Sequence, residues 1–504
     1  MKEVRFKIDG KEVTALEGTN LIEAAKQIGV EIPHFCYHRH LSIAANCRMC
    51  LVEVKNSPKL LPACQTRVAE GMEVFTNTER VKRNQAAIME FLFINHPVDC
   101  PICDQAGECY LQEYYMKYDR TLSRYREEKN KKRKAFLIGP RVIYDAERCI
   151  LCTRCVRFME EEIKRAVLGV KYRGDKGFIT TFQDKPFDDS YSINTADICP
   201  VGALTSVDFR FKVRVWELTN TDSICWGCSR NCSIKVCHKN NQVYRFLPRE
   251  NPIINKYYMC DEGRLSYKLI HTDRLNNALR RGNAVDIESA ISLVSEIVES
   301  DPKNISIVLS PSIGNEAIYL IGRLVKDILK VENLYFVQSN IWEEDGILKS
   351  RIRDFNYYGF QRIIKAMGLE VVELKTDLQL KKTVILFGAN MRDEYREILK
   401  RKKVIVFDTH LDDFVNSSEL SIPIATIFEE SGTVINSDGI LQKYNKAIEG
   451  QSLPLIFYLK NILSELDDGY LFGSAGSIFD NFVGDLLGVK GIKFEEIPSL
   501  GIKV

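Results

Sequence analysis

Cysteine spacing constrains this chain more than any other feature. Of its 16 cysteines, 15 fall into four groups before residue 261. The first is C-x10-C-x2-C-x13-C (Cys36, Cys47, Cys50, Cys64). The second is C-x2-C-x5-C (Cys100, Cys103, Cys109), headed by His96 in "HPVDCPICDQAGEC". The third is C-x2-C-x2-C with a distant Cys-Pro (Cys149, Cys152, Cys155, Cys199). The fourth is C-x2-C-x3-C-x27-C (Cys225, Cys228, Cys232, Cys260). Fifteen cysteines and His96 make 16 ligands, four for each of four sites. Cys237 is left over and reads as a small buried apolar residue.

What these ligands hold depends on where the chain works. The N-terminus opens on strand-like alternation, not on a charged segment followed by an apolar one, so no signal peptide is expected. The longest apolar run, "AAIMEFLFI", is short of a bilayer span and carries Glu90 in its middle. A formal charge of +2 gives no case for nucleic acid or an anionic membrane surface. With 504 residues, 45% hydrophobic and 27% charged, the chain reads as an ordinary soluble protein of several domains. A cytosolic protein is the default, and there disulfides are disfavoured and metal ligation is the better reading. Zinc typically draws its ligands as two separated pairs, which the run "CILCTRC" fits poorly. In ferredoxin-type sites C-x2-C-x2-C wraps one face of a cubane and a remote cysteine before proline closes it; "CILCTRC" with "CPVGAL" has that form. A two-cluster ferredoxin would repeat the pattern with a fourth cysteine in each run. Met159 stands where the first of these belongs and the second half keeps only Cys199, so one 4Fe–4S site is predicted.

Read in order, "VRFKIDGKEVTAL" predicts a hairpin turning at Asp9-Gly10. "NLIEAAKQIG" predicts a helix capped by Asn20 and ended by Gly29. A loop with three cysteines then leads into the strand "LVEVK". His34, His38 and His40 crowd Cys36, but a Rieske site needs histidine after cysteine in both halves and the second half here is "CRMC". They read as polar loop residues. "ERVKRNQAAIMEFLFINHP" predicts a helix ending near His96-Pro97. The charged stretch 119–140, with "REEKNKKRKA", reads as a solvated helix end or linker in preference to a partner-docking patch. Beyond 276, "NISIVLSP", "TVILFGAN" and "VIVFD" read as buried parallel strands of an α/β domain. Gly314 and Gly388 at strand ends are weak evidence for a nucleotide.

Several stretches resemble known families. Strand–strand–helix and then a cysteine loop resembles the β-grasp fold of plant-type ferredoxins, although the C-x10-C-x2-C opening is closer to NADH dehydrogenase and NAD-linked hydrogenase subunits. "CWGCSRNC", "MCDEGR" and "HTDRL" resemble the iron–sulfur domain that opens molybdopterin-dependent oxidoreductases. The stretch Glu430 to Gln442 resembles the E-x-G-T-x-x-N-x-x-G-x-x-Q segment of the same family. "HPVDCPICDQAGECYLQ" and "ICPVGALTS" are the most specific, and together these motifs resemble the large iron–sulfur subunits of bacterial NADH:quinone oxidoreductase, respiratory complex I.

That resemblance implies a multidomain α+β and α/β chain. Its parts are a β-grasp 2Fe–2S ferredoxin-type domain (1–78), a 4Fe–4S domain with one histidine and three cysteine ligands (79–118) and a ferredoxin-like 4Fe–4S domain (141–215). A 4Fe–4S domain of molybdopterin-oxidoreductase type (216–275) and a truncated molybdopterin-oxidoreductase-like α/β domain without cofactor (276–504) complete it. It implies 2Fe–2S on Cys36, Cys47, Cys50 and Cys64. It also implies 4Fe–4S on His96, Cys100, Cys103 and Cys109, on Cys149, Cys152, Cys155 and Cys199, and on Cys225, Cys228, Cys232 and Cys260. No molybdopterin is expected: Glu262 stands where molybdenum members usually have lysine, no cysteine follows Cys260, and 244 residues are few for two pterins. The implied role is electron relay, with neither the NADH nor the quinone site on this chain. Implied partners are an NADH/FMN-binding subunit, a downstream iron–sulfur subunit and other peripheral-arm subunits, on the cytoplasmic side of the inner membrane, with no membrane span and no nucleic acid. The rival reading is a subunit of an NAD-linked formate dehydrogenase or hydrogenase, and a zinc scaffold is the third.

Overall fold

A computed structural model describes residues 2–118, 123–467, 469 and 472–504. The chain divides into two compact units, residues 1–217 and 218–504.

The first unit begins with the expected hairpin. Glu3–Ile8 pairs antiparallel with Lys11–Leu16 across Asp9 (φ 47°) and Gly10 (φ 79°), the left-handed pair that a two-residue hairpin turn requires. Alternation puts Val4, Phe6, Ile8, Val13 and Ala15 on the buried face. The sheet runs Lys11–Leu16, Glu3–Ile8, Glu73–Phe75, Leu51–Val54, Leu61–Pro62, with Glu3–Ile8 and Glu73–Phe75 parallel. Asn20 caps the Leu21–Gln27 helix by accepting the Glu23 N–H at 3.0 Å. That helix covers the sheet with Leu21, Ile22, Ala24 and Ala25, and Cys50 and Cys64 belong to the same core. This is a β-grasp arrangement.

Thr78 caps the Glu79–Asn95 helix, which ends where His96 turns extended (ψ 127°) ahead of Pro97, as steric conflict with a following proline dictates. A second helix, Tyr110–Tyr118, meets it through the Phe93 and Tyr115 rings, 5.2 Å apart. In the charged stretch, 119–122 lie outside the described residues. The described part is no helix up to the short Phe136–Leu137 strand. Three of its lysines are spent on the protein: Lys129 Nζ donates to the Phe93 and His96 carbonyls (2.8 and 2.6 Å), Lys132 to the Gly177 carbonyl, and Lys134 pairs with Asp99 and Glu147. Of the two expected forms, a helix end is not found; the stretch is an exposed linker, pinned as an extended strap by these lysines. Charge composition alone could not reveal that carbonyls were waiting for those ammonium groups.

In the second unit, Thr219–Ile224, Ser233–Lys239 and Gln242–Pro248 form an antiparallel sheet that precedes an eight-stranded one. The three strands expected from sequence are Ile305–Leu309, Thr383–Phe387 and Lys403–Asp408, adjacent and parallel. Leu420–Pro423 extends them on one side, and Asn333–Phe336 and Glu370–Glu373 on the other. An antiparallel edge hairpin, Ala278–Arg280 with Asn283–Val285, closes one side and was not foreseen, because its strands are three residues each. Helices with strongly apolar faces, such as Ile287–Ser300 and Leu455–Leu466, cover the sheet.

Candidate iron–sulfur sites

Each ligand group sits on a loop whose backbone is bent out of the ordinary regions. Arg48 (φ 58°) lies between Cys47 and Cys50, and Leu151 (φ 53°) and Thr153 (φ 60°) alternate with Cys149, Cys152 and Cys155. Gly107 (φ 92°) lies between Cys103 and Cys109, and Asn231 (φ 48°) precedes Cys232. Left-handed non-glycine residues cost about 1–3 kcal/mol each and persist where the surroundings over-determine them. In the third group the cysteines that these residues separate line one cavity.

In the first group the thiols associate as Cys36 with Cys47 and Cys50 with Cys64. The hydrogen bond within each pair drives Cys36 and Cys64 down and Cys47 and Cys50 up. Two thiol pairs suit a cluster in which each of two irons takes two thiolates. The neighbouring histidines are used elsewhere: His34 Nδ1 lies 2.8 Å from the Ile32 carbonyl, and His38 Nδ1 accepts the His40 N–H.

In the second group His96 is the test of fit. Its Nδ1 is buried and has no hydrogen-bond partner. Burial pushes the imidazole down to about 4, and the Phe93 ring meets it edge-on with ring centroids 6.0 Å apart. A neutral, oriented ring with a free nitrogen is what a metal-bound histidine needs. Burial raises Cys103 and pushes Cys109 up to about 11. A Cβ on Gly202 would stand 2.3 Å from Cys103 Sγ, so only glycine fits against that sulfur.

In the third group Cys149, Cys152, Cys155 and Cys199 line one small cavity whose other walls include Tyr144, Ile150, Ile179, Val201 and Leu204. Burial pushes Cys149, Cys152 and Cys199 up to about 11 and raises Cys155 well above the ordinary thiol range. Buried thiols of this kind stay protonated until a metal displaces the proton. Among the described residues no three His, Cys, Asp or Glu side chains close on a single ion. Four thiols lining one cavity suit a cluster that offers a separate iron to each.

The fourth group lies in the second unit. The Cys225 N–H donates to the Cys232 carbonyl at 2.8 Å, and the Gly263 N–H donates to Cys260 Sγ at 3.3 Å. Gly263 is needed here, because its Cβ would meet Cys225 Sγ at 2.9 Å and Cys260 Sγ at 3.2 Å. The Glu430–Gln442 motif supports this loop: Gln442 Nε2 donates to the Asn231 carbonyl, Asn436 Nδ2 to the Arg230 carbonyl, and the Ser437 N–H to the Ser229 carbonyl. Glu262 pairs with Lys349 at 2.9 Å. Cys237 is fully buried in its strand.

Residues that spacing could not flag link the first three groups. Arg157 Nη2 donates to the Cys36 carbonyl (2.6 Å) and the Cys152 carbonyl (3.2 Å), and Asn46 Nδ2 donates to the Leu151 carbonyl. Arg154 donates to the Tyr37 and Ile198 carbonyls. The Tyr110 N–H, next to Cys109, donates to the Pro200 carbonyl, next to Cys199, at 3.0 Å. Arg148, adjacent to Cys149, makes a two-pronged bond to Asp99 (3.1 and 2.8 Å). The one available signal was arginine inside "CTRCVRF", and arginine is usually a surface residue.

The fold and donor sets define an iron–sulfur protein assembled from ferredoxin-type domains and an α/β domain. Family models agree. Residues 1–79 match a 2Fe-2S iron-sulfur cluster binding domain, and 85–124 match an NADH-ubiquinone oxidoreductase-G iron-sulfur binding region. Residues 139–205 match the ferredoxin-like domain of NADH-quinone oxidoreductase subunit 3. Residues 218–272 match the Fe4S4 domain of molybdopterin oxidoreductases, and 365–452 match the molybdopterin oxidoreductase family itself. Among curated proteins, the NADH-quinone oxidoreductase G-subunit of Rickettsia felis is 38% identical over 330 residues, which is 64% of this chain and 49% of that protein. The NADH-ubiquinone oxidoreductase 75 kDa subunit of Reclinomonas americana is 43% identical over 276 residues, 55% of this chain and 40% of that protein. A solved NAD+-reducing [NiFe]-hydrogenase chain, 27% identical, aligns over 42% of this chain and 91% of its own with a TM-score of 0.38. The chain is similar to NADH-quinone oxidoreductase G-subunits over 64% of its length, and it spans about half the length of the curated relatives it matches.

Proposed function

We propose that this chain is an iron–sulfur electron relay of an NADH:quinone oxidoreductase, receiving electrons from an NADH/FMN-binding subunit and passing them toward a downstream iron–sulfur subunit in the peripheral arm of complex I. The observation that carries this reading is the run of contacts between ligand loops in the first unit. Arg157 joins the Cys36 and Cys152 loops, and the Tyr110–Pro200 bond with the Gly202–Cys103 contact joins the third group to the second. The third group therefore stands between the other two, an arrangement suited to serial transfer.

In this reading Cys36, Cys47, Cys50 and Cys64 hold 2Fe–2S. His96 with Cys100, Cys103 and Cys109, Cys149 with Cys152, Cys155 and Cys199, and Cys225 with Cys228, Cys232 and Cys260 hold three 4Fe–4S clusters. The domain division given from sequence belongs to the same reading. When bound, such clusters supply one-electron redox chemistry over a wide range of potential. The chain's own residues position the ligands, bury the thiols and donate hydrogen bonds around them, which are the levers that set potential. In this reading the chain attaches to the cytoplasmic face of the inner membrane through partner subunits; among the described residues no helix is long and apolar enough to cross a membrane.

Metal analysis tests the proposal. Anaerobically purified protein should contain about 14 iron atoms, two from one 2Fe–2S and twelve from three 4Fe–4S sites. Zinc in place of iron would refute the relay, and molybdenum or formate oxidation by the isolated chain would favour the formate dehydrogenase reading.

A further inference from the structure

We propose that Arg157 is a positioning and potential-setting residue shared by the first and third clusters, placing an uncompensated positive charge between their ligand loops. The proposal rests on the ligand assignment above. Arg157 is 8% exposed. Its Nη2 donates to the carbonyls of two ligand residues, Cys36 and Cys152, its Nη1 to the Ser42 carbonyl and its Nε to Thr153 Oγ1. Every one of these acceptors is uncharged. Glu161, the carboxylate in the same network, is occupied by the Ser42 N–H and hydroxyl. Arg154, 3% exposed, likewise donates only to carbonyls, and its Nε is buried without a partner.

Among the described residues neither arginine has a carboxylate in ion-pair range, whereas Arg148 near the second group is paired with Asp99 and Asp145. Burying a charge without an opposite charge is strongly unfavourable. The charge that offsets these two guanidinium groups is carried by tetrathiolate iron–sulfur clusters, which are anionic and gain a further negative charge on reduction. A cation held against both ligand loops favours the reduced form of each. Arg157 thus serves two clusters at once: it fixes the spacing of their loops through carbonyl bonds and raises both potentials.

Redox titration of the full chain, followed by electron paramagnetic resonance, tests this with Arg157→Met, Arg157→Gln and Arg157→Lys. Removing the charge should shift the reduction equilibrium of both the first and third clusters at least tenfold toward the oxidised form, about 59 mV for a one-electron couple. The signal of the Cys225 group should not move, and Arg157→Lys should restore most of the shift. A shift in neither cluster or in only one, or a lysine variant that behaves like methionine, overturns the proposal. Should Arg157→Met lose a cluster by iron analysis, Arg157→Gln, which keeps a donor for one carbonyl, provides the neutral comparison. Loss of cluster in all three variants would mean a purely structural role and also overturns it. Failure of the relay reading looks different, because the unmodified protein would then lack the expected iron.

Discussion

Gly202→Ala isolates the claim that Cys103 is held by a metal. Gly202 is not among the residues with positive φ, so alanine meets no backbone objection there. The objection is steric. The new Cβ would stand 2.3 Å from Cys103 Sγ, 3.2 Å from Gln105 Cβ and 3.7 Å from Arg148 Cδ. Ordinary contact begins near ~3.6 Å, so the sulfur and the methyl must part by about 1.3 Å. Without metal, Cys103 is the end of a side chain with one rotatable bond and can swing away at small cost. With its sulfur bound to iron it cannot, and backbone or cluster must yield, at about 1–3 kcal/mol for overpacking of this kind. The Gln105 contact is felt in both forms, whereas the sulfur clash falls on the metal-bound form and corresponds to about a 5- to 150-fold loss of cluster affinity. The assay compares iron retention under chelator challenge with the thermal midpoint of metal-free protein. The expected result is faster loss of the His96–Cys109 cluster with a near-unchanged metal-free midpoint. Wild-type chelator resistance in Gly202→Ala would refute the reasoning, because a sulfur free to rotate is not a ligand.

His96→Cys should keep a 4Fe–4S cluster and lower its potential, since a neutral imidazole gives way to an anionic thiolate; an unchanged potential in redox titration would remove His96 from the ligand set. In the second unit, burial and the neighbouring Glu316 charge push Glu430 up to about 8, and burial pushes Glu316 up to about 7. Both folded values exceed the unfolded one, so between about pH 4.5 and 8 the folded state holds protons that the unfolded state has lost, and stability falls as pH rises through that window. Glu430→Gln should therefore be more stable than wild type at pH 8, on the order of 2 kcal/mol, with the gap closing near pH 5. Thermal melts at the two pH values check this, and a gap equal at both would contradict it.

Patterns with one local cause were legible in the sequence. The Asp9-Gly10 turn, the Asn20 cap and the end of the helix at His96-Pro97 each depend on one or two residues, and each occurs in the structure. The three buried parallel strands were legible because both of their faces are covered and their apolar runs are unbroken. The lysine strap and the edge hairpin were not, because what decides them lies elsewhere in the chain: Phe93 and His96 carbonyls for Lys129, the Leu420–Pro423 strand for Ala278–Arg280. The same holds at the sites. Cysteine spacing marked candidate ligands, yet Arg154 and Arg157 gain their meaning from carbonyls more than 40 residues away, including those of Tyr37 and Cys36. Gly202 likewise gains its meaning from a sulfur on another loop.

The costs in the first unit converge on its candidate metal sites. Left-handed Arg48, Leu151 and Thr153, the partnerless His96 nitrogen, and two buried arginines without carboxylates all lie in or against ligand loops. Each lowers the stability of metal-free chain. In the proposed relay, metal ligation would reverse each by its own route: it would fix the bent loops, occupy the imidazole nitrogen and supply the negative charge. The thiols raised by burial add the final coupling, since ligation must expel their protons and so draws on the same free energy that orders the loops. On the proposed ligand assignment, ordering of these loops and assembly of the sites are one thermodynamic event, and the residues that destabilise the bare loops are the ones that would favour an anionic, multi-iron ligand.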